Sequence, residues 1–145
     1  LLLNNFYKDT ADVYHYFDLD ASFANSIIYG SQKGEVELQK GESGGIDYRF
    51  DHCLIAAGDS LKTPEARFSN CIINPDAFAF EDPFEPAFNY QLDSLSPAKD
   101  KASREILQQY PALLQYDLQG VDRTEDEGPD MGVFERRPGA GEQNN

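Results

Sequence analysis

Acidic side chains are the most abundant groups in this sequence that could carry chemistry. The sequence has 26 Asp and Glu residues, and the stretch D-R-T-E-D-E-G-P-D at 122–130 concentrates several of them. Calcium prefers carboxylate and carbonyl oxygens as ligands, which makes Asp122, Asp126 and Asp130 the candidate calcium ligands. Their spacing matches no calcium-binding loop, however, and an acidic loop facing water explains the same residues. The sequence therefore predicts no cofactor, with calcium as the one alternative.

Catalytic groups are harder to place. Hydrolysis of a glycosidic bond needs two carboxylates on opposite sides of that bond, and among 26 acidic residues no particular pair stands out. The histidines, His15 and His52, and the cysteines, Cys53 and Cys71, give little support to a nucleophile activated by a base. A phosphate-binding loop, a dinucleotide fingerprint and zinc-ligand spacings are all missing from the sequence. The sequence therefore favours a protein that is not an enzyme.

Aromatic side chains are the best candidates for binding a sugar. The stretch at 76–95 is interrupted by prolines and holds four aromatic residues that could stack on sugar rings: Phe80, Phe84, Phe88 and Tyr90. Aromatic rings are also large apolar groups that pin a loop over a hydrophobic core. Packing is the simpler interpretation, and sugar stacking is the functional one.

The charge of the chain excludes several kinds of partner. A formal net charge of −14 and a pI near 4.3 disfavour nucleic acid and anionic membranes, which need clustered basic residues. Neutral glycans remain compatible with this charge. The longest aliphatic run, residues 1–3, is far too short to cross a bilayer. Because no signal peptide is visible and the first residue is not Met, we expect the natural N-terminus, and further coils of the same fold, to lie upstream.

A repeat dominates the first half of the chain. The segments F-A-N-S-I-I at 23–28, F-D-H-C-L-I at 50–55 and F-S-N-C-I-I at 68–73 share one pattern, and they start 27 and 18 residues apart. A constant strand-like core with loops of variable length is typical of a solenoid. A polar residue at the same position of each copy predicts a hydrogen-bonded ladder at a corner, formed by Asn25, His52 and Asn70.

The two cysteines occupy equivalent positions of neighbouring copies. Cys53 and Cys71 would lie about 4.8 Å apart if their strands were adjacent, a separation that a disulfide tolerates. Side chains stacked in parallel point the same way, which disfavours the geometry of a disulfide. A stack of small side chains in the core is the favoured interpretation, and the redox compartment stays open.

Punctuation by Pro and Gly and changes in pattern divide the chain into three regions. Residues 1–78 are expected to hold the coils, 79–135 an aromatic loop and a C-terminal cap on the same solenoid, and 136–145 a flexible tail. Residues 100–117 carry the only helical pattern, with Asp100 or Ser103 as its cap. We expect this one short helix to cover an end of the solenoid.

The C-terminal region resembles a known family. The stretches N-Y-Q-L-D-S-L-S-P-A-K-D at 89–100, Y-D-L-Q-G-V-D-R at 116–123 and P-D-M-G-V-F-E at 129–135 resemble the choice-of-anchor Q domain. That domain closes secreted right-handed parallel β-helix proteins, including surface lipoproteins of Bacteroides-type bacteria. Lys99, Lys101–Ala102 and Val133 depart from its usual pattern, as does a long helical insert.

The resemblance implies an all-β fold, a right-handed parallel β-helix with a C-terminal cap. It also implies a location outside the cell, either secreted or as an outer-membrane lipoprotein, but no particular activity. The expected role is a structural C-terminal segment with polysaccharide binding; a β-helix lyase or glycoside hydrolase and an adhesin or surface scaffold are the alternatives. Within the matched motifs, charge-assisted hydrogen bonds predict a cap latch formed by Asp100, Asp117, Arg123 and Asp130.

Overall fold

The computed structural model describes residues 1–137 except 33, 59–60, 62–63, 65, 77–79, 83–85, 87 and 126. Twelve strands and two short helices lie within these residues. The strands are β1 (Leu2–Asn4), β2 (Phe6–Lys8), β3 (Tyr14–Tyr16), β4 (Leu19–Ala24), β5 (Ile27–Ile28), β6 (Glu37–Gln39), β7 (Ile46–Asp51), β8 (Leu54–Ile55), β9 (Phe68–Ser69), β10 (Ile72–Ile73), β11 (Phe80–Asp82) and β12 (Asn89–Leu92). The helices are α1 (Arg104–Gln109) and α2 (Pro111–Leu114). The predicted all-β class is confirmed, with two short helices where one was expected.

Most of the strands belong to three parallel sheets. The sheets are β1–β6, which a bridge from Val36 to Ala57 extends, β4–β7–β9 and β5–β8–β10. Successive passes of the chain therefore add one strand, or one bridge, to each sheet. We call these passes tiers: tier 1 holds β1, β4 and β5; tier 2 holds β6, β7 and β8; tier 3 holds Ala57, β9 and β10. The three copies of the sequence repeat end up side by side, one in each tier.

A stack of phenylalanine rings forms the centre of the core. Phe23 pairs with Phe50, and Phe50 pairs with Phe68, in the registers of the parallel strands. Their ring centroids lie 4.8 Å and 5.0 Å apart with the ring planes inclined by 13° and 14°. Parallel strands about 4.8 Å apart bring equivalent side chains to this separation, which suits offset stacking of aromatic rings. The first residue of the repeat is therefore a core position in every tier.

The polar residue of the repeat forms a backbone corner. Asn25, His52 and Asn70 have φ of +49°, +49° and +51°, in the left-handed region that Asn and His adopt more readily than most residues. The corner turns the chain between the two strands of each copy. In tier 2 it leaves Phe50 and Ile55 inside the core, while Leu54 points to a second cluster outside it.

The side chains at this corner make different hydrogen bonds in different tiers. The Asn25 amide donates to the Ser103 carbonyl at 3.1 Å and accepts the Ser103 N–H at 2.7 Å. His52 Nδ1 and Asn70 Nδ2 instead contact the same oxygen, Asp51 Oδ1, at 2.8 Å and 3.5 Å. Asp51 thus links two of the three residues predicted to form a ladder, and Asn25 ties tier 1 to the chain just before α1.

The C-terminal region packs on the outside of the tiers. Ile27, Leu54 and Ile72 are the outward aliphatic residues of the three copies, and they pack with Leu92, Ala98 and Met131. This cover follows from the repeat, because each copy ends in two aliphatic residues and only one of them can point into the core. The helix was expected at an end of the stack. Helix α1 lies next to tier 1, which is an end tier, and its Ile106 and Leu107 face a groove shared with residues 24–27.

Other expected elements are present with small changes. Ser103 caps α1, since its Oγ accepts the N–H of Ile106 at 3.3 Å. Pro111 begins α2. Two antiparallel pairs, β2–β3 and β11–β12, flank the parallel sheets. The tail predicted at 136–145 lies outside the described residues from 138 onward.

The corner conformation yields a test at Asn70, whose side chain is exposed. We expect Asn70→Val to lower the free energy of unfolding by about 1–2 kcal/mol, because a residue with a Cβ branch is strained in the left-handed region. Asn70→Gly should change that free energy by less than about 1 kcal/mol, since glycine adopts this region freely. Chemical denaturation measures both.

Gln39→Val provides the control, because Gln39 is exposed on β6 and valine is favoured in a strand. Equal stability of the Asn70→Val and Asn70→Gly variants would show that the corner does not depend on its backbone conformation.

Candidate functional site

A buried polar network holds the C-terminal region together. Its members are Asp117, Arg123, Asp130 and Glu135, whose exposed fractions are 7%, 8%, 1% and 3%. Charged groups this deeply buried are costly unless they are paired and hydrogen-bonded. We call this set the cap network. Asp117, Arg123 and Asp130 belong to the predicted cap latch, whereas Glu135 was not part of that prediction.

Arg123 joins the cap network through three acceptors. Its Nη1 donates to the Asp130 carbonyl at 3.0 Å and contacts Glu135 Oε2 at 3.3 Å, and its Nη2 donates to the Gly132 carbonyl at 2.8 Å. The ion pair of Arg123 is therefore with Glu135, whereas the sequence analysis expected an aspartate. Glu135 ends the motif P-D-M-G-V-F-E, so the signal for this partner was present in the sequence.

The aspartates of the cap network bind backbone N–H groups from distant segments. Asp130 Oδ1 accepts the N–H of Asp100 and Oδ2 accepts the N–H of Arg136, each at 2.7 Å. Asp117 Oδ2 accepts the N–H of Glu135 at 2.9 Å. Asp100 thus contributes its backbone, in a left-handed conformation with φ +56°, while its carboxylate pairs with Lys99 at 3.3 Å. Asp100 therefore joins the cap network through its backbone N–H, whereas the predicted latch would use its carboxylate.

Electrostatics favour the ionised form of Asp117. Burial alone would raise the pKa of this carboxyl, but N–H donors from Glu135, Val121 and Gln119 and the positive charge of Arg123 lower it below its ordinary value of 3.8. The carboxylate accepts the N–H of Gln119 at 2.7 Å and that of Val121 at 2.8 Å. Its negative charge is thus part of what holds the turn at 117–121.

An apolar groove lies between the two helices and tier 1. Its volume is about 700 Å³, and residues 24–27 form one side of it. The cap-network residues Asp117 and Arg123 also line it, together with Gly132. The rest of the lining is aromatic and aliphatic: Phe80, Tyr90, Ile106, Leu107, Tyr110, Leu113, Leu114, Tyr116, Leu118 and Val133. We call this the helix groove. Tyr110 and Tyr116 belong to the predicted helical segment, but the sequence pattern does not show that they line a groove.

Only some of the predicted sugar-stacking residues lie close to one another. Phe80 and Tyr90 line the helix groove and pack edge to face, with ring centroids 5.5 Å apart. Phe88 and Tyr90 are 56% and 45% exposed. Phe84 lies outside the described residues. The hairpin β11–β12 therefore offers two exposed rings, Phe88 and Tyr90.

The candidate calcium ligands are bound by groups of the protein. Asp122 accepts the backbone N–H and the hydroxyl of Thr124 and the side-chain amide of Gln115, and Asp130 belongs to the cap network. Asp126 lies outside the described residues. Among the residues that the structure describes, no group of three or more His, Cys, Asp or Glu side chains could hold a metal ion.

The histidines and cysteines have structural neighbours. His15 Nε2 contacts Asp9 Oδ2 at 2.8 Å, and its ring stacks on Tyr7. Cys53 and Cys71 are free thiols, the first buried and the second half-buried. The Cys53 thiol donates to the Asp51 carbonyl at 3.4 Å, and the Cys71 thiol donates to the Ser69 carbonyl at 3.3 Å. The interaction between the two thiols lowers the pKa of Cys71 and, together with burial, raises the pKa of Cys53.

The Arg123–Glu135 pair can be tested by removing the charge. We expect Arg123→Met to lower the free energy of unfolding by about 3–5 kcal/mol, because Glu135 would then be a buried charge without its partner. The double variant Arg123→Met/Glu135→Gln should recover part of this loss, since the carboxylate that formed the ion pair with Arg123 is then removed as well. Thermal and urea unfolding measure both changes.

Arg49→Met is the matched control, because Arg49 is exposed on β7 and a surface change should stay within about 0.5 kcal/mol. A melting temperature for Arg123→Met equal to that of wild type would show that the cap network does not stabilise the fold.

Asp117 yields a prediction that depends on pH. A carboxyl whose pKa is lowered by folding adds stability above its unfolded pKa near 3.8, and this contribution disappears as pH falls through the folded value. We expect Asp117→Asn to cost about 1–3 kcal/mol at pH 7, because the three backbone N–H groups that donate to Asp117 lose their charged acceptor. The difference from wild type should shrink below about pH 4.

Unfolding by urea at pH 7 and pH 3 measures this difference, with the exposed Asp82→Asn as control. A difference that is the same at both pH values would contradict the role of the Asp117 charge.

The chain was compared with protein-family models, with curated proteins and with solved structures, and none of the three comparisons gave a match. The geometry described above is therefore what bears on function. No helix within the described part of the chain is long and apolar enough to cross a membrane. The features available to a functional proposal are the stacked repeats, the cap network, the helix groove and the exposed rings of β11–β12.

Proposed function

We propose that the chain is the C-terminal segment of a right-handed parallel β-helix protein, and that its role is structural. The observation that supports this most directly is the register of the repeat, because its three copies pair in parallel, residue for residue, in adjacent strands. In a solenoid each coil contacts only its neighbours and adds one strand to each sheet. In support of the proposal, each successive tier of this chain adds a strand or a bridge to the parallel sheets.

The cap network supports a second part of this role, which is to close the side of the coils. Ile27, Leu54 and Ile72 form an apolar strip along the outside of the tiers, and Leu92, Ala98 and Met131 cover it. The buried Arg123–Glu135 pair joins the segments that carry this cover. The C-terminal region therefore acts as a lateral clamp on the coils.

The location proposed for this protein is outside the cell, either secreted or displayed on a bacterial surface as a lipoprotein. This proposal rests on the similarity of the motifs at 89–135 to the choice-of-anchor Q domain. The acidic net charge of −14 is compatible with it, since net charge keeps a protein soluble.

Polysaccharide binding is the activity that we propose for the surface of this segment. Two exposed rings, Phe88 and Tyr90, stand close together in sequence on the hairpin β11–β12. An exposed aromatic ring offers an apolar face together with, in tyrosine, a polar edge. Because the chain is strongly acidic, neutral polysaccharides suit it better than anionic ones.

A polysaccharide lyase or glycoside hydrolase is the alternative, and the observation that favours it is the pair of Asp51 and His52. The carboxylate contacts His52 Nδ1 at 2.8 Å, an arrangement that leaves the other ring nitrogen to act as a base. His52 also lines a groove of about 330 Å³. The charged and polar residues beside it there are Asn70, Asp100 and Lys101. An adhesin or surface scaffold would bind without turnover.

A panel of neutral and acidic polysaccharides, assayed for binding by calorimetry and for release of reducing ends, separates these functions. We expect binding of a neutral polysaccharide without cleavage, and a loss of about two- to tenfold in affinity in Tyr90→Ala, since one aromatic contact contributes about 0.5–1.5 kcal/mol. Tyr14→Ala is the control, because Tyr14 is 50% exposed on β3 and Tyr90 is 45% exposed.

The other outcomes of this panel decide against the proposal. Cleavage that His52→Gln abolishes would favour the enzyme. Binding that is equal in the wild type, Tyr90→Ala and Phe88→Ala would show that these rings are not the glycan site.

A further inference from the structure

The helix groove lies at the open side of tier 1. Its floor is formed by residues 24–27, which are the end of β4, the corner at Asn25 and the start of β5. Strand β4 pairs with β7, and β5 pairs with β8; within the described residues neither has a partner on its other side. The Asn25 carbonyl accepts the Gly132 N–H at 2.9 Å and the Ala24 carbonyl accepts the Ser26 hydroxyl at 2.7 Å. The groove therefore adjoins a strand edge that carries these two bonds and that has no parallel strand beside it among the described residues.

Burial changes sharply between tier 2 and tier 1. Phe50, Leu54 and Ile55 in tier 2 are 1%, 0% and 0% exposed, whereas their counterparts in tier 1 are only half-buried. Those counterparts are Phe23, Ile27 and Ile28, which pair with them in register. The surface of tier 1 that faces away from tier 2 is therefore partly uncovered. It is of the same kind as the surface of tier 2 against which tier 1 packs.

The lateral clamp extends beyond tier 1. Ile27, Leu54 and Ile72 are covered by the C-terminal region, and the apolar lining continues past Ile27 along α1 and α2. Tyr110 and Leu113 in this continuation are 55% and 79% exposed. The apolar surface of α1 and α2 is continuous with the interface that covers Ile27, Leu54 and Ile72. It could therefore cover a fourth outward aliphatic residue in line with these three.

The register of β1 indicates how a further coil would connect. Leu2 pairs with Glu37, so Leu1 stands at the level of Val36. Val36 is reached from β5 through residues 29–35, and Ala57 is reached from β8 through residue 56. A strand stacked on β5 would therefore reach Leu1 by the same path that the chain already follows between tiers.

We propose that the helix groove receives one further coil of the same repeat, joined to the chain ahead of Leu1. The phenylalanine of that coil stacks on the face of Phe23 opposite Phe50, and its outward aliphatic residue packs under Tyr110 and Leu113. The coil adds a parallel strand to β4 and another to β5. This inference rests on the proposed function, and it assigns α1 and α2 the task of clamping a coil that precedes the first tier.

The register permits a direct test with an extended chain. A second copy of residues 19–35, placed directly before Leu1, repeats the connection that leads from β4 and β5 to Val36. We expect the melting temperature of the whole protein to rise by about 4 °C or more, and amide hydrogen exchange in β4 and β5 to slow.

The matched control is the same extension with serine at the positions that copy Phe23, Ile27 and Ile28. It has the same length and lacks the apolar contacts, so its melting temperature should stay near that of the original chain. Equal melting temperatures for the two extended chains would overturn the inference.

Leucine substitutions locate the contact. Leu113→Lys in the extended chain should remove most of the gain, because the lysine enters the helix groove. Leu95→Lys should leave the gain intact, because Leu95 is 84% exposed and does not line that groove. Equal effects of the two lysines would place the added coil elsewhere.

A second copy of the chain is the competing occupant. If the original chain forms a dimer in sedimentation velocity, and Leu113→Lys but not Leu95→Lys dissolves it, then another protomer fills the groove and the inference is wrong. Loss of stability in Arg123→Met would persist in that case. Failure of this inference is therefore distinguishable from failure of the proposed structural role.

Discussion

The parallel register that sets Phe23, Phe50 and Phe68 face to face is the constraint on which the rest of this structure depends. Centroid distances of 4.8 Å and 5.0 Å are those of strands hydrogen-bonded side by side. A slip of one residue would exchange inward and outward side chains in every tier. The left-handed corners protect this register, because each of them ends one strand at the same place relative to its phenylalanine.

Much of the fold could be predicted from the sequence because the same strand–corner–strand pattern occurs three times in the repeat. The positions of Phe23, Phe50 and Phe68 predicted aligned strands, and a polar residue two places later predicted the corner. No sequence pattern indicated that the C-terminal region lies on the side of the tiers, because an aliphatic pair such as Ile27 and Ile28 does not show what covers its outward member. That choice is made by long-range packing, which pattern reasoning does not see.

Most residues of the cap network could be predicted from the sequence, but the ion-pair partner of Arg123 could not. Asp117, Arg123 and Asp130 were recognised as a set, yet the charge partner of Arg123 is Glu135. Opposite charges at many spacings look equivalent in a sequence, and the pairing depends on where the turn at 117–121 directs the guanidinium. The helix groove was missed because its residues come from separate segments, each of which looks ordinary alone.

The connections between tiers differ greatly in length. Seven residues, 29–35, separate β5 from Val36, whereas a single residue separates β8 from Ala57. Loop-closure entropy grows only with the logarithm of length, so doubling a flexible connection costs about 0.6 kcal/mol. The connection after β5 is thus a position where sequences of different length can be inserted or exchanged during evolution. The surface of the protein can diversify there while its hydrogen-bonded frame stays the same.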